Sequence, residues 1–482
     1  MLFNSLSFAI FLPLVFCIYW FSIKNSHKYQ NIILLISSYL FYSFWDWRFL
    51  FLLAFSTLLD YFTGLKIFSS QGKWRKIWLW ISVGTNLGFL GFFKYYNFFI
   101  ESFSQVLTSV GLQANVSSLN LILPVGISFY TFHGLSYVFD IYYKRIYPTK
   151  NFVQYSLFVS FFPLLVAGPI ERATHLLPQV KRLRVFKARQ AVDGLRQFLW
   201  GLFKKVVIAD SCAEYANVIF NNSGDYHGMT LFLGALLFTF QIYGDFSGYT
   251  DMALGTARLF GIELIKNFNY PYFSRNIAEF WRRWHISLSS WFRDYLYIPL
   301  GGSRVSTLKK IRNTFIIFLV SGFWHGANWT FIFWGGLNAL FIVPDIIFKS
   351  KKPFTNVVAQ GRSLPNIIEV FQLTSTFLIT VCAWIFFRAE SLNHAFTYIS
   401  DMFSVRDLNP FKFPEIGKSI VSVMLIVPFI AVEWIGRENN YALETIGLKW
   451  SRLARWTFYG VIIFFIGMYM HVGGSEFIYF QF

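Results

Sequence analysis

Apolar residues run along this chain in long unbroken blocks rather than in strict alternation, and short polar segments separate them. Crossing the hydrocarbon core of a bilayer as a helix takes ~20 predominantly apolar residues. The blocks at 5–23, 31–47, 49–65, 77–100, 121–143, 198–220, 229–257, 313–324, 328–348, 367–387, 418–436 and 456–472 are accordingly read as helical spans. No basic residue precedes the first block and no small-residue cleavage site follows it, so it is a span rather than a secretion signal. A further apolar stretch, 152–170, ends in Ala167-Gly168-Pro169. The pattern predicts an all-α polytopic membrane protein. It also predicts a single domain over 1–482, since no repeat, low-complexity tract or long linker interrupts it.

The polar segments orient the spans, because lysine and arginine are retained on the cytoplasmic side. With the N-terminus outside, the inward segments 24–30, 66–76, 144–150, 171–205, 258–312, 349–362 and 437–455 hold 36 of the 42 basic residues. The outward segments 101–120 and 221–228 hold none. Both termini then face outward. Both flanks of 152–170 are basic, so this stretch is expected to enter and return. Broken backbone at membrane depth is tolerated only inside protein or beside a water-filled cavity, which makes the re-entrant element a sign of one. Segment 171–197 is expected to lie on the membrane as an amphipathic surface stretch.

Composition agrees with lipid as the solvent: of 482 residues, 55% are hydrophobic and only 14% charged, against ~25% charged in soluble domains. The net charge of +18 would suggest nucleic acid in a soluble protein. Here topology accounts for it, and no nucleic-acid partner is expected. Cys17, Cys212 and Cys382 form no CxxC and have no histidine at ligand spacing, so neither a disulfide framework nor a metal site is expected. GxSxG, HExxH, Walker A and GxGxxG motifs are all missing, which weighs against hydrolase, metalloprotease and nucleotide-hydrolysing readings.

Chemistry concentrates in three stretches. In 266–304, a helix starting near Asn276, with Glu279 as capping-box partner, would put Trp281, Trp284, Leu288 and Trp291 on one face and Arg282, His285, Ser289 and Arg293 on another. That is either an interfacial helix anchored by tryptophan and arginine or the lining for a polyanionic donor. In 316–340, His325 sits between two apolar segments joined by Gly326, Ala327 and Asn328, with Gly322 and Gly326 forming a GxxxG. An ionisable residue there is a functional hypothesis by default, the alternative being a histidine that only bonds helices together. With an unperturbed pKa of about 6.5, it is suited to general-base work. His285, Asn328, Asn338 and the tryptophan indoles are candidate donors to an oxyanion. In 241–257, Asp245 and Asp251 lie in an apolar span, either paired with an arginine such as Arg258 or lining a path. Asp60 and Asp140 are read as structural.

The run WRRWHISLSSWFRDYLYIPLGG, followed about twenty residues later by FWHGANW, resembles the membrane-bound O-acyltransferase family, in its bacterial branch of alginate O-acetylation membrane proteins. The resemblance extends from the opening MLFNSLSFAIFLPLVFCIYW to the closing EFIYFQF, with its motif core at about 121–348. It implies a ring of about 11–13 transmembrane and re-entrant helices around a central tunnel. It implies His325 as principal catalytic histidine and His285 as the second, with Arg282, Arg283 and Trp284 near the donor entrance. It further implies acetyl transfer from cytoplasmic acetyl-CoA, through a periplasmic SGNH-hydrolase-like partner, to a polysaccharide such as alginate or peptidoglycan. The competing reading is a polysaccharide or lipid transporter with the carboxylates as a proton relay; many such carriers show inverted repeats, and this sequence shows none.

Overall fold

The computed structural model describes residues 1–21, 26–112, 118–348, 354–404, 413, 416–470 and 477–478. Parts of the segments 24–30, 101–120 and 349–362, the end of the block 456–472, and most of the closing EFIYFQF lie outside the described residues. Among the described residues the regular structure is entirely helical. Among the described residues five helices are long and apolar enough to cross a membrane: Arg48–Ser69, Met229–Leu259, Trp329–Ile347, Ile367–Arg388 and Ile416–Ile435. Contacts divide the chain into two compact units interleaved in sequence, 1–188 with 257–264 and 326–328, and the remainder.

The first unit carries α1 (Leu6–Phe21), α2 (His27–Asp46), α3 (Arg48–Ser69), α4 (Gly72–Leu90), α5 (Tyr96–Ser109), α6 (Ile127–Tyr142), α7 (Phe152–Ser160), α8 (Phe162–Leu165) and α9 (Ala173–Val180). A π-helical turn at Gly91–Tyr95 joins α4 to α5, so the block 77–100 is longer and less regular than its hydropathy suggests. Asp60 on α3 accepts hydrogen bonds from Ser82 Oγ at 2.6 Å and Asn86 Nδ2 at 2.9 Å on α4. Gly134 on α6 comes so close that a Cβ there would collide with the Asp60 carboxylate. Asp60 is thus held by neutral donors. Asp140 pairs with Arg145 at 3.1 Å.

The stretch 152–170 breaks at Phe161 between α7 and α8, and its residues from Tyr155 to Ile170 are buried within the unit. Ser38 Oγ accepts the Phe162 N–H at 3.0 Å, supplying a partner that the helix break removes. Segment 171–197 forms α9, a connection exposed at every residue but Arg184, and the start of another helix, so Lys181, Arg182, Lys187 and Arg189 lie at the surface. Arg184 is buried, donating to Tyr19 Oη at 2.6 Å and Asn31 Oδ1 at 2.7 Å. A guanidinium that finds neutral acceptors inside the protein has no need of lipid phosphate.

The second unit carries α10 (Ala188–Phe203), α11 (Asp210–Asn221), α12 (Met229–Leu259), α13 (Ile277–Arg283), α14 (Ile286–Phe292), α15 (Thr307–His325), α16 (Trp329–Ile347), α17 (Ile367–Arg388), α18 (Leu392–Met402), α19 (Ile416–Ile435) and α20 (Arg452–Tyr469), the ends of α10 and α12 reaching into the first. A π-helical turn, Lys204–Ala209, joins α10 to α11. The helices α15 and α16 form a close hairpin. A Cβ on Gly322 would run into the Phe331 carbonyl, and one on Gly335 into that of Phe318. The close approach that glycine permits between helices therefore uses Gly322 with Gly335.

Candidate active site

The helix expected from Asn276 onward is two helices with a sharp turn at its most informative residue. Asn276 caps α13, its side chain accepting the Glu279 N–H at 2.7 Å. The reciprocal half of the capping box is not made. Glu279 turns back one residue further, accepting from the Arg275 N–H at 2.9 Å, from the Arg275 guanidinium, and from Arg283 Nη2 at 2.8 Å. Burial alone would raise the Glu279 carboxyl, but these hydrogen bonds and the two cations hold it below its ordinary value. The chain then leaves the helix at Trp284 and passes through a left-handed conformation at His285 (φ 42°, ψ 54°) before α14 begins.

That turn overrides the two faces read from 3.6-residue spacing. Trp281, Trp284 and Trp291 all lie buried inside the protein instead of facing lipid. Arg283 is committed to Glu279 and to the carbonyls of Asn269 and Asn356. Trp284 is completely buried among the rings of Phe268, Phe280 and Trp384. Of the three residues expected at a donor entrance, only Arg282 is exposed. A left-handed residue other than glycine costs energy and persists only where its surroundings fix it. Asn267, which the sequence did not single out, fixes this one. Its carbonyl accepts the Ile286 N–H at 2.9 Å, and its side-chain oxygen accepts the Ser287 hydroxyl at 2.6 Å.

The consequence is that the His285 ring is turned toward His325, the last residue of α15, with ring centroids 6.3 Å apart. Both histidines are buried, at 1% and 3% exposure. The wall around them is aromatic: Phe246 lies edge-on to His285 at 4.7 Å, while Trp334 and Phe387 flank His325, each at 5.3 Å. Neither nitrogen of His285 has a hydrogen-bond partner among the described residues, and nor does the Trp284 indole N–H. Burial pushes the His285 imidazole down to about 3, so it is neutral and able to donate one N–H while accepting at the other nitrogen. Of the two asparagines considered as donors, Asn338 is occupied, accepting from Trp281 Nε1 at 3.1 Å and donating to the Trp334 carbonyl, and Asn328 belongs to the first unit.

The α12 carboxylates are paired with lysines, not arginines. Asp251 meets Lys204 at 2.6 Å, and Asp245 meets Lys205 at 2.8 Å. The π-helical turn at Lys204–Ala209 carries both cations. Arg258, the partner expected for these carboxylates, pairs with Glu263. Glu433 on α19 adds a third carboxylate, itself buried, accepting from Trp200 Nε1 at 3.1 Å and Tyr243 Oη at 2.6 Å. Lysines inside an apolar block were the signal that would have found this network.

The family model for MBOAT, the membrane-bound O-acyltransferase family, matches residues 143–389, a stretch that contains both histidines. The chain belongs to the membrane-bound O-acyltransferase family. Similar proteins include one from Pseudomonas aeruginosa named "probable alginate O-acetylase AlgI", 40% identical over 92% of this chain and 82% of that protein. A protein of the same name from Pseudomonas putida is 36% identical, with both chains covered completely. The peptidoglycan O-acetyltransferase of Helicobacter pylori is 36% identical over 83% of this chain and 80% of its own. This acyltransferase is therefore a membrane protein whose buried histidine pair lies within the stretch that the family model matches.

Proposed function

We propose that the chain takes an acetyl group from cytoplasmic acetyl-CoA and passes it across a bacterial inner membrane for O-acetylation of a cell-surface or secreted polysaccharide. The names of the relatives, alginate O-acetylase and peptidoglycan O-acetyltransferase, support that class of acceptor. The observation that carries the chemistry is the buried pair of imidazoles with ring centroids 6.3 Å apart.

In this reading His325 is the general base. It takes the proton of the acceptor hydroxyl as that oxygen attacks the thioester carbonyl carbon; the C–O bond forms, the C–S bond breaks, and the proton ends on the departing thiolate. His285 and the Trp284 indole supply N–H donors to the oxyanion in a site where the surrounding rings exclude water and strengthen such bonds. Arg282, an exposed cation of this segment, meets the donor phosphates. An SGNH-hydrolase-type protein in the periplasm carries the acetyl group to the polymer. Transport by a carboxylate relay is less well supported, because Asp245 and Asp251 already hold lysines.

The donor is tested with detergent-solubilised protein, [14C]acetyl-CoA and an alginate oligosaccharide, with the partner protein present. Labelled ester is expected from wild type, and Arg282→Ala should raise KM for acetyl-CoA with little change in kcat. Label transfer from another acetyl donor, with none from acetyl-CoA, would reject the donor assignment.

A further inference from the structure

An apolar cavity of about 430 Å³ opens in the second unit between α12, α17, α19 and the turn Tyr270–Phe273. Phe240, Phe377, Ile426 and Ile430 wall it, and Glu433 and Tyr270 stand at one end. Trp434 fixes the level of that end. It donates its indole N–H to the Ser363 carbonyl at 2.8 Å, which ties the end of α19 to the approach to α17, and tryptophan is enriched at the membrane–water interface. From Trp434 the α19 wall runs inward to Val423, eleven residues or ~16 Å at the helical rise. That is about half of the ~30 Å hydrocarbon thickness, the depth of one leaflet.

Thr374 and Val427 of its lining are exposed on two of the five membrane-length helices, so the cavity opens on a surface that lipid would cover. The polar end offers a donor: the buried Tyr270 hydroxyl, 5% exposed as a residue, has no hydrogen-bond partner among the described residues. Among the described residues no lysine, arginine or histidine lines the cavity, so it suits neither the phosphates of a nucleotide donor nor the acyl-transfer step. We infer that this cavity holds one acyl chain of a bilayer phospholipid, with the ester end beside Tyr270 and Trp434 and the methylenes running toward Val423.

The test uses the full chain in phosphatidylcholine nanodiscs doped with phosphatidylcholine bearing a diazirine midway along one acyl chain. After irradiation, adducts are mapped by peptide mass spectrometry. Adducts at Phe377, Ile426 and Val427 should exceed those at Leu14, a similarly exposed position on α1 (58% against 64% for Val427), by about tenfold. Thr374→Trp, which fills the mouth from an exposed position, should lower the cavity adducts about tenfold and leave Leu14 unchanged, as expected when methylenes lose an apolar site. Equal labelling of cavity and α1 would overturn the inference. So would cavity labelling unchanged in both Thr374→Trp and Val427→Trp when each elutes as folded protein, or a molecule other than phospholipid filling the cavity.

Discussion

The backbone of His285 makes a specific demand on its surroundings. A left-handed histidine between two short helices is held by Asn267, and the sequence carries no spacing rule that joins positions 267 and 285. Asn267→Ala removes the acceptor for Ser287 and is expected to cost on the order of 1–3 kcal/mol. Thermal unfolding of the purified variant checks the stability. If Asn267 positions His285, transfer falls further than unfolding accounts for, and Asn267→Asp restores part of it. The same burial sets a pH dependence. The unfolded imidazole titrates at 6.5 and the folded one near 3, so the unfolded state binds more protons between those values. Stability is then complete above pH 6.5 and lost as pH falls toward 3. Lowering pH from 6.5 to 5 should cost on the order of 2 kcal/mol through this residue, and His285→Gln should show a correspondingly shallower acid slope in denaturant titrations.

At the scale of elements, the sequence was most legible where apolar blocks were long. The helices α12, α16, α17 and α19 lie close to where hydropathy drew them. It was least legible where geometry depends on a few polar contacts. The segment 276–292 has helical periodicity throughout, yet the demands of Glu279, shared by Arg275 and Arg283, and the Asn267 clamp end α13 after seven residues. Glu279→Ala would leave two buried guanidinium groups without their carboxylate, at ~3–5 kcal/mol, and should lower Tm markedly in a thermal-shift assay. Glu279→Gln keeps acceptor oxygen but not charge and should fall between. The α15–α16 hairpin is sensitive for a different reason. Any side chain at Gly322 meets backbone, which cannot move aside as a flexible side chain does, so Gly322→Leu is expected to separate the helices that present His325. Yield of monodisperse protein and retained transfer activity measure that loss; wild-type behaviour in Gly322→Leu would mean that the close packing is dispensable.

For the whole molecule, composition and the distribution of lysine and arginine already identified a membrane protein, and the run around His285 and His325 already pointed to its family. What could not be read was which charges are used internally. Arg184, Arg275, Arg283, Lys204 and Lys205 count toward the basic inward segments, yet each is buried and bonded within its unit. Topology statistics do not distinguish a cation that holds orientation from one that neutralises a buried carboxylate. Arg282 and the other exposed cations remain as the surface available to a polyanionic donor.

The central claim is that His325 abstracts the acceptor proton within the histidine pair. The most direct measurement is delivery of label across proteoliposomes, with [14C]acetyl-CoA outside, partner protein and oligosaccharide inside, and only inside-out molecules counted. His325→Ala, inserted and folded as wild type, is expected to lose ~10²- to 10⁴-fold of the luminal ester, the contribution of a positioned general base. Undiminished delivery by that variant would contradict the account and make the buried histidine pair structural.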